Sequence, residues 1–302
     1  MTEVYDIADQ YVERSAALDP CRATYAGIKG YDDQLTDFSP EGIAARLELA
    51  RATVAALDVA PRHGDDDRIA ADVMRDRLDT SIALHDAGED LRPLRVIGSP
   101  LQTLRQTFDL MSYESDDDWA VAAARLARMP EALRQFEATL REGMARNILP
   151  ARRQALACAQ QAAAWGGDQP FFRDLAARRP EDAVLAEAAD LATSAYAALG
   201  RFLRDTYAPA CEDRDPVGRE RYAVLSRSFN GIDLDFEETY AWGWDELYRI
   251  EAALRDAADR ILPGSSIDEA IEHLNRDPAR SMESVDAFVG WNQELIDRTI
   301  SE

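Results

Sequence analysis

The sequence predicts an all-α protein, a multi-helix array of antiparallel amphipathic helices. Apolar residues recur every three or four positions along most of the 302 residues, glycine and proline fall between these stripes, and period-two runs of β-branched residues are almost absent.

The first segment, Met1 to Ser15, is acidic and amphipathic, without the basic start, apolar centre and small-residue cleavage site of a secretory signal. Ser39-Pro40 reads as an N-cap followed by a first-turn proline, opening a helix that carries Ile43, Leu47, Ala50, Val54 and Leu57. A second helix runs from about Asp66 to Asp86 with Ala70, Met74, Leu78, Ile82 and His85 on one face. Leu94 to Ile97 is the only short strand candidate. Leu133, Phe136, Leu140 and Met144 mark a third helix, and Val184, Ala188, Leu191, Ala195, Leu199 and Phe202 a fourth. Asp235-x-x-Glu238 reads as a capping box before a helix with Gly243, Leu247, Ile250, Leu254, Ala257 and Ile261 facing inward, stopped at Pro263-Gly264. Ser266-x-x-Glu269 opens the next. The last stripe, Val285, Phe288, Asn292, Leu295, Ile296 and Thr299, runs to the end with no glycine or proline to close it, as a fragment or a frayed terminal helix would.

The expected organisation is one helical domain over residues 1–302, with internal breaks at Gly166-Gly167-Asp168-Gln169-Pro170 and near 211–218. A formal charge of −23 disfavours nucleic acid and anionic membranes as partners, and no apolar run approaches the roughly 20 residues of a bilayer span. Three cysteines at wide spacing, Cys21, Cys158 and Cys211, indicate neither a disulfide framework nor a zinc ribbon, and a cytoplasmic address is expected. Lys29 is the single lysine, and the acidic balance reads either as an arginine- and alanine-rich codon bias or as adaptation to high salt.

Catalytic constellations are sparse. His63, His85 and His273 are never three or four positions apart, which excludes His-Glu-x-x-His, and Glu-x-x-His pairs for a di-iron bundle are absent. His85 ends an apolar stripe and reads as a satisfied, partly buried histidine, while His273 stands four residues from Glu269 and from Asp277, a surface salt-bridge position. Asp65-Asp66-Asp67 and Asp116-Asp117-Asp118 lie at helix starts, where carboxylates complement the positive end of the dipole, and read as capping. Cys158 lies in an alanine-rich helix and reads as a core thiol. No metal ligand set and no cofactor site is expected in this chain.

Tyr11-Val12-Glu13, Asp19-Pro20-x-x-Ala23-Thr24-x-x-Gly27 and Asp32-Asp33-x-Leu35-x-Asp37-x-Ser39-Pro40 resemble the start of the bacterial domain-of-unknown-function-885 family. Gly218-Arg219-Glu220-x-Tyr222, Glu237-Glu238-Thr239-Tyr240-x-Trp242-Gly243 and Glu246-Leu247-x-Arg249-Ile250 resemble its middle section. The resemblance implies a helical, zincin-like metallopeptidase relative whose two lobes enclose a cleft, with zinc held by a His-Glu and Pro-Gly-His segment in the C-terminal half. This sequence has no such segment, so no zinc ligand or catalytic residue is carried over. The expectation is an N-terminal helical lobe supplying a cleft wall, with Tyr222, Tyr240, Trp244 and Arg249 as contacts to a peptide-like substrate and the missing C-terminal half as partner. The alternative is a stand-alone helical binding or scaffold protein without catalysis.

At −23 on one folded body, self-repulsion opposes compaction, and the Debye length contracts from ~10 Å at 0.1 M salt to ~3 Å at 1 M. The melting temperature should therefore rise with sodium chloride from low to molar concentration. A flat or falling trend means local pairs already balance the charge, and the high-salt reading is then dropped.

Overall fold

The structure is a computed structural model that describes residues 2–168 and 171–301. Its helices begin where short-range chemistry tells them to. Ser39 accepts the Gly42 amide at 3.1 Å, Asp182 the Leu185 amide at 3.0 Å and Asp235 the Glu238 amide at 2.9 Å. Ser266 and Glu269 satisfy one another's backbone in a full capping box. The fifteen α-helices among the described residues are α1 (Glu3–Leu18), α2 (Pro20–Tyr25), α3 (Pro40–Val59), α4 (Asp65–Asp86), α5 (Pro100–Gln106), α6 (Asp116–Ala127), α7 (Met129–Ala145), α8 (Arg152–Ala163), α9 (Phe171–Ala176), α10 (Ala183–Phe202), α11 (Ala208–Ala210), α12 (Arg219–Asn230), α13 (Phe236–Ile261), α14 (Ile267–Arg276) and α15 (Val285–Ser301). No strand occurs among these residues, and Leu94 to Ile97 is irregular. The chain is thus all-α, and no helix is long and apolar enough to cross a membrane.

Contacts divide the chain into two units, Met1–Asp233 and Leu234–Glu302. The 211–218 segment lies inside the first unit. The break expected at Gly166 to Pro170 instead begins as a π-helical turn over Ala164–Asp168, and Gln169 and Pro170 lie outside the described residues.

In the first unit α10 is the central helix, packed by α6, α7, α8 and α9. Small residues let the helices approach closely here: a Cβ added at Gly200 would lie 3.1 Å from the Ala163 amide nitrogen, and one at Gly166 only 2.5 Å from that of Ala197. Around α10 the main core gathers Phe108, Phe136, Phe172, Tyr196 and Tyr207, with Phe172 and Tyr196 ring centroids 5.3 Å apart. The stripe expected on α10 holds at Ala188, Leu199 and Phe202, which are buried, and is corrected at two positions. Val184 is 71% exposed and Leu191 47%, whereas Leu185, Ala189, Ala192 and Tyr196 are buried. An alanine-rich helix offers several plausible stripes, and its neighbours select the one that is covered.

A second, smaller core lies between α1, α3 and α4, built on Val4, Ala50, Leu57, Ala71 and Leu78. The two cores are joined through the segment from Tyr25 to Ser39, which a buried cation holds in place. Arg125 on α6 is fully buried, donating through Nε to the Gln34 carbonyl at 2.8 Å and through Nη2 to Tyr31 O at 3.0 Å and Thr24 Oγ1 at 2.8 Å. Thr139 Oγ1 on α7 reaches Phe38 O at 2.7 Å, and Arg46 Nη1 on α3 reaches Asp37 O at 2.7 Å. Helix α12 is tied down by ion pairs, Arg221 to Glu89 at 2.6 Å and Arg227 to Asp76.

In the second unit α13 packs on α14, and among the described residues only Ala258 and Ala270 are buried. The inward stripe expected on α13 is therefore also corrected, because Leu247, Ile250, Leu254 and Ile261 are all more than two-fifths exposed. Helix α15 buries none of its residues.

Replacing Arg125 strands the part-buried carbonyls of Gln34 and Tyr31, each costing ~1–3 kcal/mol when unsatisfied. Arg125→Met should lower the unfolding free energy by about 3 kcal/mol or more in denaturant melts, with Arg125→Lys recovering part. A loss under about 1 kcal/mol would show that the clamp is dispensable.

Candidate functional site

Helices α1 and α4 run beside each other over α3, and their facing residues leave a trough. On α1 the spacing of Tyr5, Ala8, Val12 and Ser15 places them on one face; on α4, Asp66, Ile69, Val73, Arg77, Ser81 and His85 do the same. Leu47 and Ala50 of α3 line its base, and the volume of this open trough is about 1060 Å³. From Asp66 to His85 the α4 wall is about 28 Å long by the 1.5 Å rise of a helix. Its rims carry the exposed apolar side chains of Tyr5, Val12, Ile69 and Val73.

One end is polar. Asp19, Arg22, Arg46, His85 and Asp90 converge there, with His85 Nδ1 2.9 Å from Asp90 Oδ2. Arg46 also reaches Leu18 O at 3.3 Å; burial pushes its pKa down, against the neighbouring carboxylates of Asp19, Asp37 and Asp90. Three arginines, Arg22, Arg46 and Arg77, face three aspartates, Asp19, Asp66 and Asp90, so the trough is charge-balanced within a strongly acidic chain. Among the described residues neither Arg22 nor Arg77 engages its guanidinium in an ion pair or hydrogen bond.

The arrangement can bind but does not assemble a nucleophile. Ser81 and His85 share a wall one turn apart, yet no hydrogen bond joins them among the described residues. Nor does any group of three or more His, Cys, Asp or Glu converge as metal ligands there. The zinc implied by the family resemblance thus finds no fitting donor set: His85 is engaged by Asp90, and the carboxylates beside His273 are used elsewhere. Glu269 caps Ser266, and Asp277 holds the Ala279 amide and Arg280.

The residues expected to contact a substrate lie outside this trough. Tyr222 is exposed on α12 in the first unit. Tyr240, Trp244 and Arg249 lie along α13 in the second, where the Tyr240 and Trp244 ring centroids are 6.2 Å apart and Trp244 is 5.9 Å from Tyr248. Arg249 makes a two-pronged pair with Glu246 at 2.7 and 2.6 Å, which lowers the Glu246 pKa. Reading each helix singly hides the trough. The signal available was the apolar face of the first helix, Tyr5, Val12 and its neighbours, which is too wide for one partner.

A family model described as "Bacterial protein of unknown function (DUF885)" matches residues 20–302. The chain belongs to this family. The match covers nearly the whole chain, which corrects the restriction of the resemblance to the family's N-terminal half. The putative lipoproteins of Colwellia psychrerythraea and Shewanella oneidensis, both solved as structures, share its fold. The first has a TM-score of 0.74 at 13% identity over 98% of this chain, the second 0.68 at 15% over 100%. This chain spans 57% of the length of each. No curated protein matches it. None of these matches describes a peptidase, which overturns the metallopeptidase and hydrolase reading, and the likeness to a zincin-like lobe has no support among them. The lipoprotein description of both structures likewise overturns the cytoplasmic expectation.

Cys21, Cys158 and Cys211 are buried free thiols. Burial pushes Cys158 and Cys211 up to about 11, and their Sγ atoms donate to Arg95 O at 3.2 Å and Tyr207 O at 3.4 Å. At pH 8 roughly one thiol in a thousand is then ionised, against about a quarter for a free cysteine. Alkylation of native protein should therefore track unfolding, and fast modification of Cys158 or Cys211 at pH 8 would contradict this.

Proposed function

We propose that this DUF885 protein is a helical binding protein that performs no chemistry with its own residues, and that its ligand is an extended, peptide-like chain lying in the α1–α3–α4 trough. The carrying observation is the trough itself: a volume of about 1060 Å³ with apolar rims, ending in Arg22, Arg46, His85 and Asp90. Ligand pockets commonly fall in the range of roughly 300–1,000 Å³, so this one accommodates a substantial partner. A wall of about 28 Å matches about eight residues at 3.3 Å each. Apolar side chains would pack against Val12, Ile69 and Val73, while the free guanidiniums of Arg22 and Arg77 suit a carboxylate. Balanced charge in the trough admits such a ligand despite the −23 of the whole chain.

The exposed rings of Tyr240 and Trp244 support the scaffold side of this reading, as a second surface for a macromolecular contact. By analogy with the lipoproteins that share its fold, we place the protein outside the cytoplasm, where burial of its three free cysteines protects them from oxidation.

Calorimetry with a leucine- and phenylalanine-rich octapeptide bearing a free C-terminal carboxylate tests the proposal. Saturable one-to-one binding is expected, weakened about tenfold by Val73→Asp and left unchanged by Phe288→Asp in the second unit. Absence of binding, or a loss seen only with Phe288→Asp, would sink it.

A further inference from the structure

A second pocket of the first unit, about 500 Å³, lies where residues near 90, 150 and 215 meet. Its composition inverts that of the chain. Overall, 34 basic residues stand against 57 acidic ones, yet Arg92, Arg95, Arg153, Arg214 and Arg221 line this pocket against only Glu89, Glu212 and Asp215. Two positive charges are left in excess, in a protein whose mean field repels anions.

The pairing inside the pocket shows where that excess resides. Glu89 is shared by two arginines, accepting from Arg221 Nε and Nη2 at 2.6 and 2.9 Å and from Arg92 Nε at 3.0 Å. Burial would raise the Glu89 pKa, but these bonds and charges hold it below the ordinary carboxylate range, so it stays ionised. Arg153 is matched by Asp215 at 3.0 Å. Arg95, Arg214 and Glu212 remain; among the described residues neither guanidinium has a hydrogen bond or ion pair, so one excess charge lies on the Glu89 cluster and the other on this group. Asn147, held in the left-handed conformation at φ 54° past the end of α7, adds an amide to the lining. A guanidinium without a partner presents two parallel N–H donors, a fork that suits an oxyanion.

We propose that this pocket binds a small, doubly charged oxyanion, gripped by Arg95 and Arg214. The site is separate from the trough and does not depend on the peptide-binding reading. Phosphoryl and dicarboxylate groups both carry this chemistry, and two titrants separate them.

The test is calorimetric titration of the full chain with sodium phosphate and, separately, sodium succinate, at ionic strength held constant with chloride. Saturable binding of at least one, at one site per chain, is expected, and the tighter of the two identifies the source. The Arg95→Gln/Arg214→Gln variant should bind at least about tenfold more weakly with an unchanged melting temperature, since both side chains are exposed and free. Arg62→Gln/Arg134→Gln, which removes the same charge outside the pocket, should bind like the parent. Failure of both titrants to saturate, or equal weakening in the two variants, overturns the proposal.

Discussion

The geometry of the first unit depends on one buried guanidinium. Taking Arg125 out of water costs several kcal/mol, and three hydrogen bonds to the Tyr25–Ser39 segment and its anchor Thr24 offset that cost. Burial pushes its pKa down while Asp32 and Asp33 work against the shift, and an arginine keeps its charge under such conditions. The segment has no regular structure of its own to satisfy its carbonyls, so the cation does so. Its far end is fixed by Thr36, which bridges Asp19 and the Cys21 amide, and by Thr139 and Arg46. Helix α3 starts where this segment stops. The position of the trough's base is therefore set from α6, in the other core.

This gives the acidic run at Asp32, Asp33 and Asp37 a structural meaning. The side chain of Asp32 accepts from Thr24 at 2.7 Å, and Asp37 accepts the Ser39 amide at 2.8 Å just before the α3 cap. The other acidic runs behave similarly. Asp67 is held below its usual pKa by the Thr2 hydroxyl and the His63 amide, and Asp118 by Ser112 and the Ser115 amide. These carboxylates are consumed by caps and turns. Of the arginines, the scarcer charge, three line the trough and five the second pocket.

Membership in the DUF885 family and the shared fold of two longer lipoproteins set the frame without assigning an activity. Fold alone does not carry function, and the functional reading rests on the trough and its charges. The rings singled out from sequence, Tyr240 and Trp244, belong to a unit whose helices leave most apolar residues uncovered.

What the sequence by itself determined is local. Class, helix starts and helix stops were legible because a cap needs only a side chain and an amide three residues away, as at Ser39, Asp235 and Ser266. The acidic runs were read correctly as helix starts at Asp65 and Asp116 for the same reason. Which face each helix buries was not local. Val184 and Leu191 lie on a stripe as apolar as that of Leu185 and Tyr196, and only the four helices around α10 decide between them. The trough and the arginine pocket were equally hidden, since they join residues as far apart as Tyr5 and His85, or Glu89 and Arg221. Only tertiary packing decided these sites, because charge and apolar surface become a site only when separate helices bring them within contact distance.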